Sequence, residues 1–246
     1  MQNEKCPEMK MRLAILMTNT DESDFAQAHP KDGEKFTTLI QEQRPDWDCA
    51  VFSVKDGEFP VDIQEFDGAL ITGSPASVHD SDAWVAQLFE LIRDMDRHAV
   101  PVFGACFGHQ AIALALGGAV SPNPRGWVHG YALTDSVGDL PWCARPAQVG
   151  LYASHIEQVV ELPEGAHVVS SGPDCTVGGY VKGRHIFTTQ YHPEMTDSFI
   201  VDLVEETEGY VGAEVTNAAR ESLKNTADRD VFGKQIIGFF EWATKH

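Results

Sequence analysis

The residues best suited to chemistry in this 246-residue chain form one run, Val102-Phe103-Gly104-Ala105-Cys106-Phe107-Gly108-His109-Gln110. An apolar stretch of strand character runs into Gly-x-Cys-x-Gly, and a helical pattern follows at once. Small residues on both sides of Cys106 let the chain turn sharply. Such an elbow lifts the sulfur above the carboxyl end of the strand. It also sets the sulfur at a helix N-terminus, whose partial positive charge favours a thiolate. The amide of Phe107 would then face a developing oxyanion. An isolated cysteine is more often a buried structural residue. The flanking glycines and the strand–helix junction favour a nucleophile here.

A thiol nucleophile needs a base, and Gln190-Tyr191-His192-Pro193-Glu194 supplies one. This run also follows a strand-like stretch, so His192 should emerge at a carboxyl end as well. Glu194, two residues on, is placed to bind the far ring nitrogen and orient the imidazole. Pro193 stiffens the link between them. A third run, Leu70-Ile71-Thr72-Gly73-Ser74-Pro75, ends another strand with a glycine turn. There the amide of Ser74 could be a second oxyanion donor.

These runs need elements to position them. Residues 12–17, 49–54, 66–72 and 100–104 read as strands. Residues 35–43, 83–95 and 109–116 read as helices from their apolar spacing. This alternation predicts an α/β fold with a mostly parallel central sheet and helices on both faces. Ligands in such sheets sit outside the carboxyl ends of the strands, where the three runs fall. The second half is more β-rich, with strands expected at 131–134, 147–152, 166–170, 176–181 and 185–190. Helices return at about 199–208, 213–225 and 234–243. No repeat or linker divides the chain. A single domain over 1–246 is expected, with 1–10 flexible and 205–246 a helical C-terminal extension.

In combination and order, Gly73-Ser74-Pro75, Gly104-Ala105-Cys106-Phe107-Gly108-His109-Gln110 and His192-Pro193-Glu194 resemble the class I glutamine amidotransferases of the Cys-His-Glu triad type. The likeness spans roughly residues 11–200 and is nearest to stand-alone members similar to the glutaminase domain of GMP synthetase. Ser154-His155-Ile156-Glu157-Gln158-Val159 resembles another family segment, with Glu157 where relatives carry Asp. Val128 stands where many relatives carry Glu. The resemblance implies a flavodoxin-like sheet and a glutaminase reaction. Cys106 would be the nucleophile, His192 the acid/base and Glu194 its orienter. Ser74 and Phe107 would form the oxyanion hole, and Gly73, Gln110 and His155 would contact substrate. No cofactor and no metal are implied.

Composition narrows the alternatives. The chain carries 18 basic against 37 acidic residues, a net charge of −19. That sign argues against nucleic acid and membrane surfaces as partners. The five cysteines are odd in number and widely spaced, with no CxxC pair. They fit a reducing, cytoplasmic setting rather than a disulfide framework or zinc site. The first reading is hydrolysis of glutamine's side-chain amide, with an ammonia-accepting synthase subunit as partner. The triad would serve a γ-glutamyl peptide or amine equally well, because only the leaving group differs. A non-catalytic binding protein on the same fold is the remaining alternative.

Overall fold

The computed structural model describes residues 10–245. The expected flexibility of residues 1–10 therefore falls almost wholly outside the described residues. The elements in chain order are β1 (Arg12–Met17), α1 (Asp24–Ala28), α2 (Asp32–Gln43), β2 (Asp48–Ser53), β3 (Gly68–Ile71), α3 (Ala83–Arg97), β4 (Val102–Ala105) and α4 (Phe107–Ala115). There follow β5 (Ala119–Pro122), β6 (Val128–Ser136), β7 (Gln148–His155), β8 (Glu157–Glu161), β9 (Ala166–Ser171), β10 (Gly179–Lys182) and β11 (Ile186–Thr189). Four helices close the chain: α5 (Asp197–Glu206), α6 (Glu208–Val211), α7 (Ala213–Ser222) and α8 (Arg229–Ala243).

Nine strands form one sheet in the order β2-β1-β3-β4-β11-β10-β9-β6-β7. From β2 to β11 every pairing is parallel. From β11 onward the neighbours are antiparallel. The parallel strands read as continuous apolar runs because both of their faces are covered. In β1, Leu13 and Ile15 point into one core while Ala14 and Leu16 point into the other, as the period of two requires. The first core is closed by α2 and α8 through Phe36, Leu39, Phe232, Ile236 and Phe240. The second is closed by α3 and α4 through Val85, Leu88, Ile92 and Ile112. The C-terminal segment thus contributes α8 to the main core, while α5 and α7 cover the antiparallel end through Ile200, Val204 and Ala219.

Several boundaries differ from the sequence expectation. Helix α2 starts at Asp32, not residue 35, although Asp32-Gly33 reads as a turn. A Cβ on Gly33 would lie 2.6 Å from a Val51 methyl, so this glycine serves close packing of helix on strand. Helix α4 starts at Phe107, directly after the elbow. The expected strand at 176–181 begins only at Gly179. Strands β5 and β8 pair with each other in a separate two-stranded sheet that was not anticipated.

Candidate active site

Three loops converge at the carboxyl ends of β3, β4 and β11. At β4 the chain turns through Cys106 with φ 49° and ψ −104°, a left-handed conformation that side chains other than glycine rarely adopt. The turn is sealed by two glycines. A Cβ on Gly108 would fall 2.4 Å from the Ile71 carbonyl oxygen, and one on Gly104 would fall 2.8 Å from the Gly108 backbone. Backbone hydrogen bonds hold the elbow on both sides. The Cys106 amide donates to Thr189 O at 2.9 Å, and the Gly108 amide to Thr72 O at 3.1 Å. Phe107 opens α4, where first-turn amides have no intrahelical acceptor. Its ring is buried against Trp84, with centroids 5.5 Å apart.

The β3 loop is fixed by two buried threonines. Thr18 donates its amide to Thr72 Oγ1 at 3.0 Å and its hydroxyl to Gly73 O at 3.0 Å. A Cβ on Gly73 would lie 2.8 Å from His192 Cε1 and 3.6 Å from Cys106 Cβ. Glycine here leaves room for the imidazole beside the cysteine. Ser74 is half-buried, and its hydroxyl accepts from the Ala76 amide at 3.1 Å.

His192 follows β11, and its amide donates to Tyr152 O at 2.9 Å. Its ring is buried, and Nδ1 lies 2.7 Å from Glu194 Oε1. Burial alone would push the imidazole down. The Glu194 carboxylate and the nearby Cys106 sulfur outweigh it and hold His192 well above its ordinary value of 6.5. Nε2 makes no conventional hydrogen bond among the described residues and is the nitrogen left for proton transfer. Neighbouring histidines behave oppositely. Burial pushes His109 down to about 3, and His129 and His155 to about 4. At neutral pH they are uncharged, so His192 is the cationic imidazole of this group.

Of the other expected substrate contacts, His155 is buried, with Nδ1 3.0 Å from Glu157 O and Nε2 unpartnered among the described residues. Gln110 spends its amide nitrogen within the protein, on Glu157 O at 2.8 Å and on Gln190 Oε1 at 3.2 Å. The sequence reading gave Gln190 no role, yet it is fully buried with Nε2 3.7 Å from Cys106 Sγ. Nothing local in the sequence signals this contact, which spans 84 positions.

Behind Glu194 lies a cavity of about 160 Å³ lined by His29, Lys35, Thr196, Ser198 and Phe199. Glu194 Oε2 has no hydrogen-bond partner among the described residues. A larger cavity, about 500 Å³, lies at the opposite end of the strands beside Arg12, Asp48 and Asp67, away from the three loops. Among the described residues, no group of three or more His, Cys, Asp or Glu could hold a metal ion. No helix among them is long and apolar enough to cross a membrane. The four described cysteines, Cys49, Cys106, Cys143 and Cys175, are free thiols.

Known proteins share this architecture. The chain is 29% identical over 210 residues to gamma-glutamyl peptidase 3 of Arabidopsis thaliana, covering 80% of this chain and 82% of that one. Over 139 residues it is 33% identical to a glutamine-hydrolyzing GMP synthase of Ectopseudomonas mendocina, covering 52% of this chain and 25% of that one. The solved structure of a glutamine amidotransferase from Thermotoga maritima superposes with a TM-score of 0.76 at 17% identity, covering 97% of this chain and all of the other. That likeness establishes the flavodoxin-like α/β fold. The description of the class-I glutamine amidotransferases matches residues 35–199, which contain Cys106, His192 and Glu194. The chain belongs to the class-I glutamine amidotransferase family.

Proposed function

We propose that this chain is a thiol amidohydrolase that cleaves γ-glutamyl amides through a thioester on Cys106. The observation that carries this reading is the strained elbow at Cys106, set beside an imidazole whose far nitrogen is held 2.7 Å from a buried carboxylate. The sulfur attacks the γ-carbonyl carbon as a thiolate, its proton already resting on His192 Nε2. The C–N bond then breaks, and His192 returns that proton to the departing nitrogen. Water adds to the thioester, His192 takes a proton from it, the C–S bond breaks, and glutamate leaves. Glu194 stabilises the imidazolium throughout. The amides of Ser74 and Phe107 receive the oxyanion. Gly73, beside the imidazole, leaves space for the acyl group.

For the leaving group, a short γ-glutamyl peptide is favoured over free ammonia. Two relatives named gamma-glutamyl peptidases align with 80% and 92% of this chain and with most of their own length. The GMP synthase match is confined to about half of the chain. Release of ammonia from glutamine to a partner synthase is the second reading, supported by that same match. A panel of glutamine, γ-glutamyl dipeptides and γ-glutamyl amines separates the two, with glutamate, ammonia and free amine all measured. The expected result is kcat/KM for a dipeptide at least about tenfold above that for glutamine, a difference of about 1.4 kcal/mol in transition-state binding. Faster turnover of glutamine would select the second reading. No turnover of any compound would leave a binding protein on this fold.

A further inference from the structure

The side chains beneath the nucleophile form a chain of amides that can be read in one direction only. Its far end is the Glu157 carbonyl oxygen, which can accept but never donate. Gln110 must therefore turn its NH2 toward that oxygen, at 2.8 Å. The same nitrogen reaches Gln190 Oε1 at 3.2 Å, using its second hydrogen. With its oxygen so engaged, Gln190 presents its own NH2 to Cys106 Sγ, at 3.7 Å. A carboxamide's orientation is normally open to exchange of oxygen and nitrogen. Here, reversing Gln110 would set oxygen against oxygen, and reversing Gln190 alone would set NH2 against NH2. The Gln190 amide donates to Gly178 O at 2.9 Å, which anchors the backbone. The side chain is fully buried, so water does not compete for its hydrogens.

We propose that Gln190 is a further catalytic residue, a fixed hydrogen-bond donor that favours the anionic form of the Cys106 sulfur, with Gln110 and the Glu157 carbonyl as the positioning groups that aim it. The proposal rests on Cys106 as the nucleophile and not on which amide is cleaved. A thiol sulfur is a weak acceptor and a thiolate a much better one, so a donor at this distance stabilises the charged form selectively. It works beside His192. The imidazolium supplies charge but loses it when its proton passes to the departing nitrogen, whereas the carboxamide stays neutral and donates at every step.

The test is the rate of Cys106 alkylation by iodoacetamide across pH 5–10, read peptide by peptide by mass spectrometry so that the other cysteines do not contribute. Iodoacetamide is not a γ-glutamyl compound. A chain that cleaves no such amide would still show the effect, so failure of this proposal and failure of the proposed function are separable. In Gln190→Leu the rate at pH 7 should fall about tenfold, about 1.4 kcal/mol. The wild-type rate should be regained at higher pH. Gln190→Glu keeps the volume but turns a carboxyl oxygen toward the sulfur, and its rate should fall further. Gln110→Leu removes the aim but not the donor, so its loss should be smaller than that of Gln190→Leu. If Gln190→Leu does not fold, as judged by circular dichroism, Gln190→Glu and Gln190→Met carry the comparison. Profiles of the folded Gln190 variants that superimpose on wild type would overturn the proposal, since a residue that only fills space would not move them.

Discussion

Cys106 and His192 leave adjacent parallel strands, with Thr189 of β11 in register with Ala105 of β4. The loops that carry them are nonetheless built on different physics. On the cysteine side the turn itself is held by backbone and shape: a left-handed residue, two glycines with no room for a Cβ, and amides donated to neighbouring strand ends. On the histidine side the decisive terms are charges, a buried imidazole raised against its own burial by a carboxylate 2.7 Å away. A shape-held group should be intolerant of added atoms and indifferent to pH. A charge-held group should fail on isosteric removal of the charge and should fail with pH. The site therefore has two separable modes of failure.

The largest effect expected is loss of chemistry without loss of fold. Cys106→Ala should reduce turnover to background, about 10⁴-fold or more, with the thermal midpoint nearly unchanged. His192→Ala should cost several orders of magnitude, and Glu194→Ala less, because an orienting group acts through the imidazole. A Glu194 loss larger than the His192 loss would reverse these roles. Next in size, Gly108→Ala should test the shape-held side alone. Its methyl group would meet the Ile71 carbonyl at 2.4 Å, a backbone atom that cannot swing aside. Chemical denaturation should show a loss of about 3 kcal/mol or more, of equal size at pH 6 and pH 9. A strongly pH-dependent loss would mean that the two sides are not separable.

The charge-held side gives the complementary experiment. His192 titrates above the ordinary 6.5 in the folded protein. Its contribution to stability is fully present below about pH 6.5 and is lost as pH rises through the raised value. Glu194→Gln keeps an acceptor for Nδ1 but removes the charge. The stability gap between wild type and this variant should be about 2 kcal/mol at pH 6 and should close as pH rises. The neutral histidines have the opposite sign. With folded values near 3 and 4, His109, His129 and His155 lose stabilisation as pH falls from 6.5 toward those values. Both proteins carry them, so the His109 contribution cancels in the difference, while those of His129 and His155, which feel the His192 charge, cancel only in part. A gap that widens with pH would contradict the cationic assignment of His192.

The same division explains what could be read from sequence. The elbow was legible because shape constraints are local: Gly104, Cys106 and Gly108 lie within five residues, and the need for glycine is written into the type of residue. The parallel strands were legible because burial on both faces leaves an unbroken run such as residues 12–17. His192 and Glu194 were legible as a pair because the contact spans two positions. Long-range contacts were not. The role of Gln190 depends on Gln110, 80 positions away, and on a carbonyl in β8 that no side chain announces. Strands β5 and β8 are short, and β5 ends in Pro122. Each is a strand only because the other pairs with it. The start of β6 was missed for a similar reason: Val128 and His129 are half-buried and alternate poorly, and their partners are His155 and Ser154 on β7.

The smallest effect expected is also the most direct measure of what the elbow stores. Cys106 is held at φ 49°, where an L side chain crowds the carbonyl that follows it and where glycine is at ease. Cys106→Gly removes the nucleophile and the strain together, whereas Cys106→Ala removes the nucleophile and keeps the Cβ. Any difference in stability between these two inactive variants therefore reports the backbone and not the sulfur. Relief of strain should favour glycine by about 1 kcal/mol, partly offset by the greater freedom of the unfolded glycine chain. The expected outcome is a glycine variant at least as stable as the alanine variant, by urea denaturation at a single pH. At most positions the substitution of alanine by glycine is destabilising, so the sign alone is diagnostic. If glycine were instead less stable by its usual 0.5–1 kcal/mol, about what an ordinary helix or strand position shows, the elbow would store no strain. Shape on the cysteine side would then be enforced only by Gly104 and Gly108.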